Sequence, residues 1–304
     1  MLYNNIIEAI GKTPLVKLEN TEANMADIYV KVESFNPGGS VKDRAAYYMI
    51  TTAAEKGLIK QGDTIIEATS GNMGISLSMI GAALGYKMVI VMPDTMSLER
   101  RKMITAYGAE LVLTPGSKGM LGSIEKAQEL AAEKGYFVIN QFKNMANFQA
   151  HLETTGVEIY DDLNGELDAF VAGVGTGGTV SGIGSFLKSK NPDIQIIAVQ
   201  PDKSPVLTGG NPGPHGIQGI GANFVPEIYK AEVIDEVLSM DQETAYAASR
   251  ELGKKAGVLV GMSAGGNFAA AKTIAKRLGA GKKVVTILPD TGERYLSTIL
   301  FDEE

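Results

Sequence analysis

The chain has 304 residues, 44% hydrophobic and 21% charged, which is ordinary for a globular protein and long enough for one large or two coupled domains. A net charge of −7 leaves no basic excess to neutralise a nucleic acid, no apolar run approaches the roughly 20 residues that span a bilayer, and the first residues show no secretory leader. Zero cysteines exclude disulfides, thiolate catalysis and cysteine-ligated metal, and His151 and His215 alone make a polyhistidine metal site unexpected, so a cytoplasmic enzyme without a resident metal fits.

In chain order, residues 28–32 alternate β-branched and aromatic side chains and predict a strand. Asn36-Pro-Gly-Gly39 stops it, and Ser40 is placed to cap a helix whose first turn holds Lys42. Apolar runs at 64–68, 88–92, 110–113, 137–141, 169–173, 194–200 and 283–288 predict further strands. Between them, 74–85, 98–108, 122–134, 147–161, 179–190, 242–257 and 265–278 have helical spacing. Such alternation predicts an α/β fold of mostly parallel sheets flanked by helices, with near-continuous apolar strands buried on both faces. Ligands in these folds sit at the carboxyl ends of strands, where every glycine-rich turn of this chain falls. The longest loop-like stretch is 209–221, long enough to expect a functional role.

Those turns carry the chemistry. A lysine near a helix N-terminus, as Lys42 is, faces the positive end of the dipole, and is either unpaired surface or neutralised by something it binds. Thr69, Ser70 and Asn72, with Gly71 between them, crowd hydroxyls, an amide and N–H groups at a helix start, an arrangement suited to a carboxylate. Residues 173–179 (Gly-Val-Gly-Thr-Gly-Gly-Thr) let the backbone approach a phosphate closely, with hydroxyls from Thr176 and Thr179. The same run spells G-x-G-x-x-G, with Asp202 just past the next strand, so on the residues alone a dinucleotide remains an alternative. Ser263 opens another helix and by itself reads as a helix cap. A lysine, a phosphate cup and a lone serine on an α/β frame together fit pyridoxal phosphate, which needs an amine, a phosphate site and a group facing its pyridine nitrogen.

In this order the motifs resemble the cysteine synthase (O-acetylserine sulfhydrylase) family of fold-type II pyridoxal-phosphate enzymes, the two-domain architecture of tryptophan synthase β. The similarity runs from Ile10-Gly-Lys-Thr-Pro-Leu-Val-Lys17 to Asp290-Thr-Gly-Glu-Arg-Tyr-Leu296 and includes 36–44, 69–72, 173–179 and 213–221. It implies that Lys42 holds the cofactor as a Schiff base and shuttles the substrate's Cα proton. Asn72 would bond the cofactor's 3′ oxygen, Gly175, Thr176, Gly177, Gly178 and Thr179 its phosphate, and Ser263 its ring nitrogen. Thr69, Ser70, Gly71, Met73 and Gln141 would receive the substrate carboxylate, with Gly219 bordering the amino-acid side. No metal is implied.

The implied reaction is β-replacement, O-acetyl-L-serine and sulfide giving L-cysteine and acetate. A smaller mobile domain at 35–146 and a larger one built from 1–34 with 147–304 would enclose the cofactor. The resemblance further implies a homodimer and a possible partner in the C-terminal peptide of serine acetyltransferase. Alternatives within the class are cystathionine or S-sulfocysteine synthesis and cysteine lyase activity, and outside it a non-catalytic binder of that acetyltransferase. Met73 stands where the family usually has threonine, which would take a hydroxyl from the carboxylate loop, put an apolar chain into it and bear on substrate affinity or on the choice of β leaving group. Met145 and Phe148 replace usual prolines, Gly216 a common lysine and Asn223 a common glycine, and Ala264 follows Ser263 where many members have a second serine.

Overall fold

A computed structural model of the chain describes residues 2–19, 24–69 and 71–302. It contains two compact units, one formed by Met1–Ile10 with Asn36–Asn147 and the other by Gly11–Phe35 with Phe148–Glu304. We call them the first and second unit.

The first unit is built on a sheet of β3 (Thr64–Ala68), β4 (Lys87–Pro93), β5 (Glu110–Thr114) and β6 (Phe137–Val138), ordered β5-β4-β3-β6 with every pair parallel. Alternate residues of a strand point to opposite faces, and the core divides accordingly. Ile65, Met88, Ile90 and Met92 join an apolar cluster with Met49 and Ile50 of α1 (Lys42–Glu55) and Ile75, Leu77 and Ile80 of α2 (Asn72–Leu84). Ile66, Val89 and Val91 pack on the other face against Ala127 and Leu130 of α4 (Gly119–Lys134). The short α3 (Leu98–Ala106) adds Ile104 to the first of these clusters. Each such buried aliphatic side chain contributes about 1.5–3 kcal/mol.

The sheet of the second unit is ordered β1-β2-β10-β7-β8-β9, with β1 (Leu15–Lys17), β2 (Asp27–Val32), β7 (Ala169–Gly173), β8 (Gln195–Pro201), β9 (Glu236–Met240) and β10 (Lys283–Leu288). Only β1 is antiparallel to its neighbour. The alternation repeats: Val284 and Leu288 face the cluster containing Ala264, Ala270 and Ile274 of α9 (Met262–Leu278), while Val285 and Ile287 face Ile183 and Leu187 of α7 (Gly178–Lys190). α8 (Gln242–Ala256) packs beside α9 through Ala245, Ala248 and Leu252.

The helix expected at 147–161 is instead α5 (Met145–Ala150), a π-turn over His151–Thr155, and α6 (Gly156–Asp162). The strand expected at 137–141 pairs only as far as Val138, because Asn140 turns left-handed at φ 55. The strands β1 and β9 escaped the pattern reading: both lie at the edges of the sheet, are short, and bury only part of their side chains.

Candidate active site

In the first unit, Lys42 is the first residue of α1. Ser40 is not the cap itself; Val41 holds that position, and Ser40 Oγ accepts the Lys42 N–H at 3.3 Å. The turn is fixed by Asp43, fully buried, whose carboxylate accepts the Gly38 N–H at 2.5 Å and the Ser76 hydroxyl at 2.5 Å. A Cβ at Gly38 would collide with that carboxylate, so the glycine is required by close approach. Ser76 lies one helical turn after Asn72, so the same carboxylate ties the start of α1 to the start of α2.

Asn72 is the first residue of α2 and Gly71 its N-cap, in extended backbone. Thr69 is buried, and its Oγ1 accepts the Gly71 N–H at 3.3 Å, closing the turn on itself. Ser70 lies outside the described residues. The Met73 side chain is 1% exposed within the α1–α2 apolar cluster, so it packs into the core rather than projecting from the loop. What Met73 can present to a ligand is its first-turn N–H.

Gln141 is buried, and its backbone N–H reaches Glu67 Oε1 at 3.3 Å, while that of Asn140 reaches Glu67 Oε2 at 2.8 Å. Glu67 is the penultimate residue of β3, and burial pushes its carboxyl up to about 7 against the lowering effect of those N–H groups and of the Gln141 side chain. No role for Glu67 follows from the turn motif that contains it. The available signal was an acid inside an otherwise apolar strand.

In the second unit, β7 runs into the glycine turn. Gly177 is the N-cap of α7 at φ 87, a left-handed conformation natural to glycine. A Cβ there would strike Tyr229, and one on Gly175 would strike the carbonyl oxygen of Gly219. Thr176 is buried, with Oγ1 accepting the Gly178 N–H at 3.5 Å. Thr179, the second residue of α7, pairs through Oγ1 with His151 Nε2 at 3.2 Å.

Ser263 is the second residue of α9, not its cap, which is Gly261, and it is buried. Gly219, at φ 96, lies so close that a Cβ on it would touch Ser263 Oγ at 3.5 Å. Gly175, Gly219 and Ser263, far apart in sequence, are thus brought together. One turn beyond Ser263, Asn267 accepts the Gly173 N–H at 2.7 Å and donates to the Ile287 carbonyl at 2.9 Å, fixing α9 to the ends of β7 and β10. Asn267 and His151 were not singled out by sequence reasoning. Asn267 could have been, because it shares a helix face with Ser263.

The glycine cradle is the test for a phosphorylated cofactor. At Gly175 and Gly177 only glycine lets the turn pack against Gly219 and Tyr229, and the turn leads into the start of α7, whose first N–H groups and positive dipole end suit a phosphate. The sequence profile of the family described as "Pyridoxal-phosphate dependent enzyme" matches residues 6–290. The chain belongs to this family of pyridoxal-phosphate dependent enzymes. It is 54% identical over 300 residues to a cysteine synthase of Staphylococcus aureus (strain Mu50 / ATCC 700699), covering 98% of this chain and 97% of that protein. Among solved structures it is similar to an O-ureido-L-serine synthase, with a TM-score of 0.97 and 48% identity over 100% of this chain and 98% of that one. It is also similar to the cysteine synthase of Entamoeba histolytica, with a TM-score of 0.96 and 46% identity over 100% of this chain and 93% of that one. This pyridoxal-phosphate dependent enzyme therefore has the fold-type II architecture, and the NAD reading of G-x-G-x-x-G is set aside.

Proposed function

We propose that this enzyme is a cysteine synthase, converting O-acetyl-L-serine and sulfide to L-cysteine and acetate. The observation that carries the reading is the 54% identity to a cysteine synthase along 98% of the chain. An amine at the head of α1 and a glycine cradle at the head of α7 supply two of the features such an enzyme needs.

Bound pyridoxal phosphate supplies the electron sink that makes loss of the substrate's Cα proton and of its β-acetate accessible. In our reading Lys42 holds the cofactor covalently and moves the Cα proton through Nζ. Gly175, Thr176, Gly177, Gly178 and Thr179 bind its phosphate through N–H and hydroxyl donors, and Asn72 bonds its ring oxygen. Ser263 would face the ring nitrogen with a neutral hydroxyl, which does not hold that nitrogen protonated as a carboxylate partner would, and the milder electron sink that results suits β-replacement. Thr69, Ser70, Gly71 and Gln141, with the N–H of Met73, receive the substrate carboxylate, and Gly219 borders the amino-acid side of the site.

Three further assignments rest on family resemblance. The enzyme works as a homodimer, in the cytoplasm, and its carboxylate loop accepts the C-terminal peptide of a serine acetyltransferase. Among the described residues no helix is long and apolar enough to cross a membrane. Light scattering giving twice the chain mass checks the dimer, and competition between such a peptide and O-acetyl-L-serine checks the partner.

The test of the function is product analysis with holoenzyme. O-acetyl-L-serine and sulfide should yield cysteine and acetate in equal amounts, and Lys42→Ala should abolish the reaction. Turnover with homocysteine or thiosulfate but not sulfide would replace the reading with cystathionine or S-sulfocysteine synthesis.

A further inference from the structure

Glu67 lies where an apolar residue would be expected. By alternation along β3 it shares a face with Ile65, the face covered by the apolar cluster of α1 and α2. A carboxylate in such a place is costly unless its lone pairs are filled. Here they are filled from one short segment, by the N–H of Asn140 at 2.8 Å, the N–H of Gln141 at 3.3 Å and the Gln141 side chain.

That segment begins where the sheet stops. The β3–β6 register ends at Ile66↔Val138, a last backbone bond joins Ile139 to Ile66, and Asn140 then turns left-handed at φ 55. Downstream, Asn144 Nδ2 donates to the Ile139 carbonyl at 3.1 Å and Asn147 Nδ2 to the Gln141 carbonyl at 2.9 Å. Glu67 thus replaces the ladder at the point where the chain bends. Two residues further along, just past the end of β3, comes Thr69, and α2 begins at Asn72.

We propose that Glu67 is a positioning residue for recognition of the substrate carboxylate: its two oxygens fix Asn140 and Gln141 against the strand that carries Thr69–Asn72, so that both halves of the carboxylate site are presented together. The inference rests on the reading that Gln141 and the Thr69–Asn72 turn receive that carboxylate. It predicts an effect on substrate affinity rather than on cofactor retention or on the chemical step.

The test is Glu67→Gln in the holoenzyme. Glutamine keeps the shape but offers one acceptor oxygen, so it cannot receive both backbone N–H groups. The KM for O-acetyl-L-serine should rise about tenfold or more, with kcat within about threefold and the cofactor absorbance per chain unchanged. In a Gln141→Ala background the same change should add less than about twofold, because the two residues act through one contact. If Glu67→Gln does not fold, Glu67→Asp, whose carboxylate is withdrawn by one methylene, is read in the same cycle against the same outcomes. An unchanged KM, a fall in kcat with KM unmoved, or full additivity with Gln141→Ala overturns the proposal. A parent enzyme that makes no cysteine from O-acetyl-L-serine overturns instead the functional reading beneath it.

Discussion

The Nε2 of His151 lies 3.2 Å from Oγ1 of Thr179, while its Nδ1 lies 2.9 Å from Oγ1 of Thr155, and the imidazole is 1% exposed. Both partners are hydroxyls, so the buried ring fixes the rotation of the Thr179 hydroxyl at the head of α7. The π-turn at His151–Thr155 makes this possible by widening one turn, and single π-turns within helices often mark functional positions. His151→Ala should weaken cofactor binding about five- to tenfold, the scale of one hydrogen bond. Visible absorbance of the apoenzyme titrated with pyridoxal phosphate measures this, and an unchanged midpoint would separate Thr179 from the phosphate.

Gly175 makes a sharper case, because backbone rather than a side chain limits it. A Cβ there meets the carbonyl oxygen of Gly219, which is itself left-handed at φ 96 and cannot easily shift. Gly175→Ala should displace the 175–179 turn from Gly219, with a strain of about 1–3 kcal/mol, and so lose cofactor by one to two orders of magnitude in affinity. Circular dichroism should remain native. Full cofactor content in the purified variant would show that the turn has room to spare.

Glu67 gives the enzyme a pH-dependent stability with a definite sign. Its folded carboxyl is raised from 4.5 to about 7 by burial, so the folded chain keeps a proton that the unfolded chain releases near 4.5. The stabilisation is fully present below pH 4.5, declines as pH rises, and is lost above about 7, a change of about 3 kcal/mol at about 1.4 kcal/mol per pH unit. Hydrogen exchange of the β3 and α2 amides should therefore quicken between pH 5 and 8, beyond the intrinsic rate, and Glu67→Gln should flatten that dependence. Parallel profiles for parent and variant would refute it. Ionised Glu67 is also the form that can accept both N–H groups, so the state that positions Gln141 is the less stable one.

The strands 64–68, 169–173 and 283–288 are readable to the residue because each is an apolar run bounded by turn residues and buried on both faces. The glycine turns are readable too, since glycine is the residue that a left-handed backbone such as that at Gly177 and Gly219 favours. What was not legible depends on contacts between distant residues. His151 is an ordinary helix residue until Thr179 is placed beside it, and Glu67 an ordinary turn-flanking acid until Asn140 and Gln141 close over it. Ser263 looked like a cap because serine favours that position, but Gly261 takes it and leaves the hydroxyl beside Gly219.

Met73 shows how the same gap can mislead about specificity. In sequence it stands inside Thr69–Gly74 and reads as an apolar intrusion into a carboxylate loop. In the structure Met73 is 1% exposed, in one apolar cluster with Ile75, Leu77 and Met92, and lies in the first turn of α2. Threonine there would remove buried apolar volume and place a hydroxyl among aliphatic side chains, at a cost of about 1–3 kcal/mol. Met73→Thr should therefore lower the melting temperature by about 2–12 °C, since 1 kcal/mol moves a large domain by about 2–4 °C. The backbone N–H that a ligand would use is unchanged by the substitution. The KM for O-acetyl-L-serine should consequently stay within about threefold, and the preference for sulfide over other nucleophiles should not move. A large change in KM with an unaltered melting curve would instead place the Met73 side chain at the substrate.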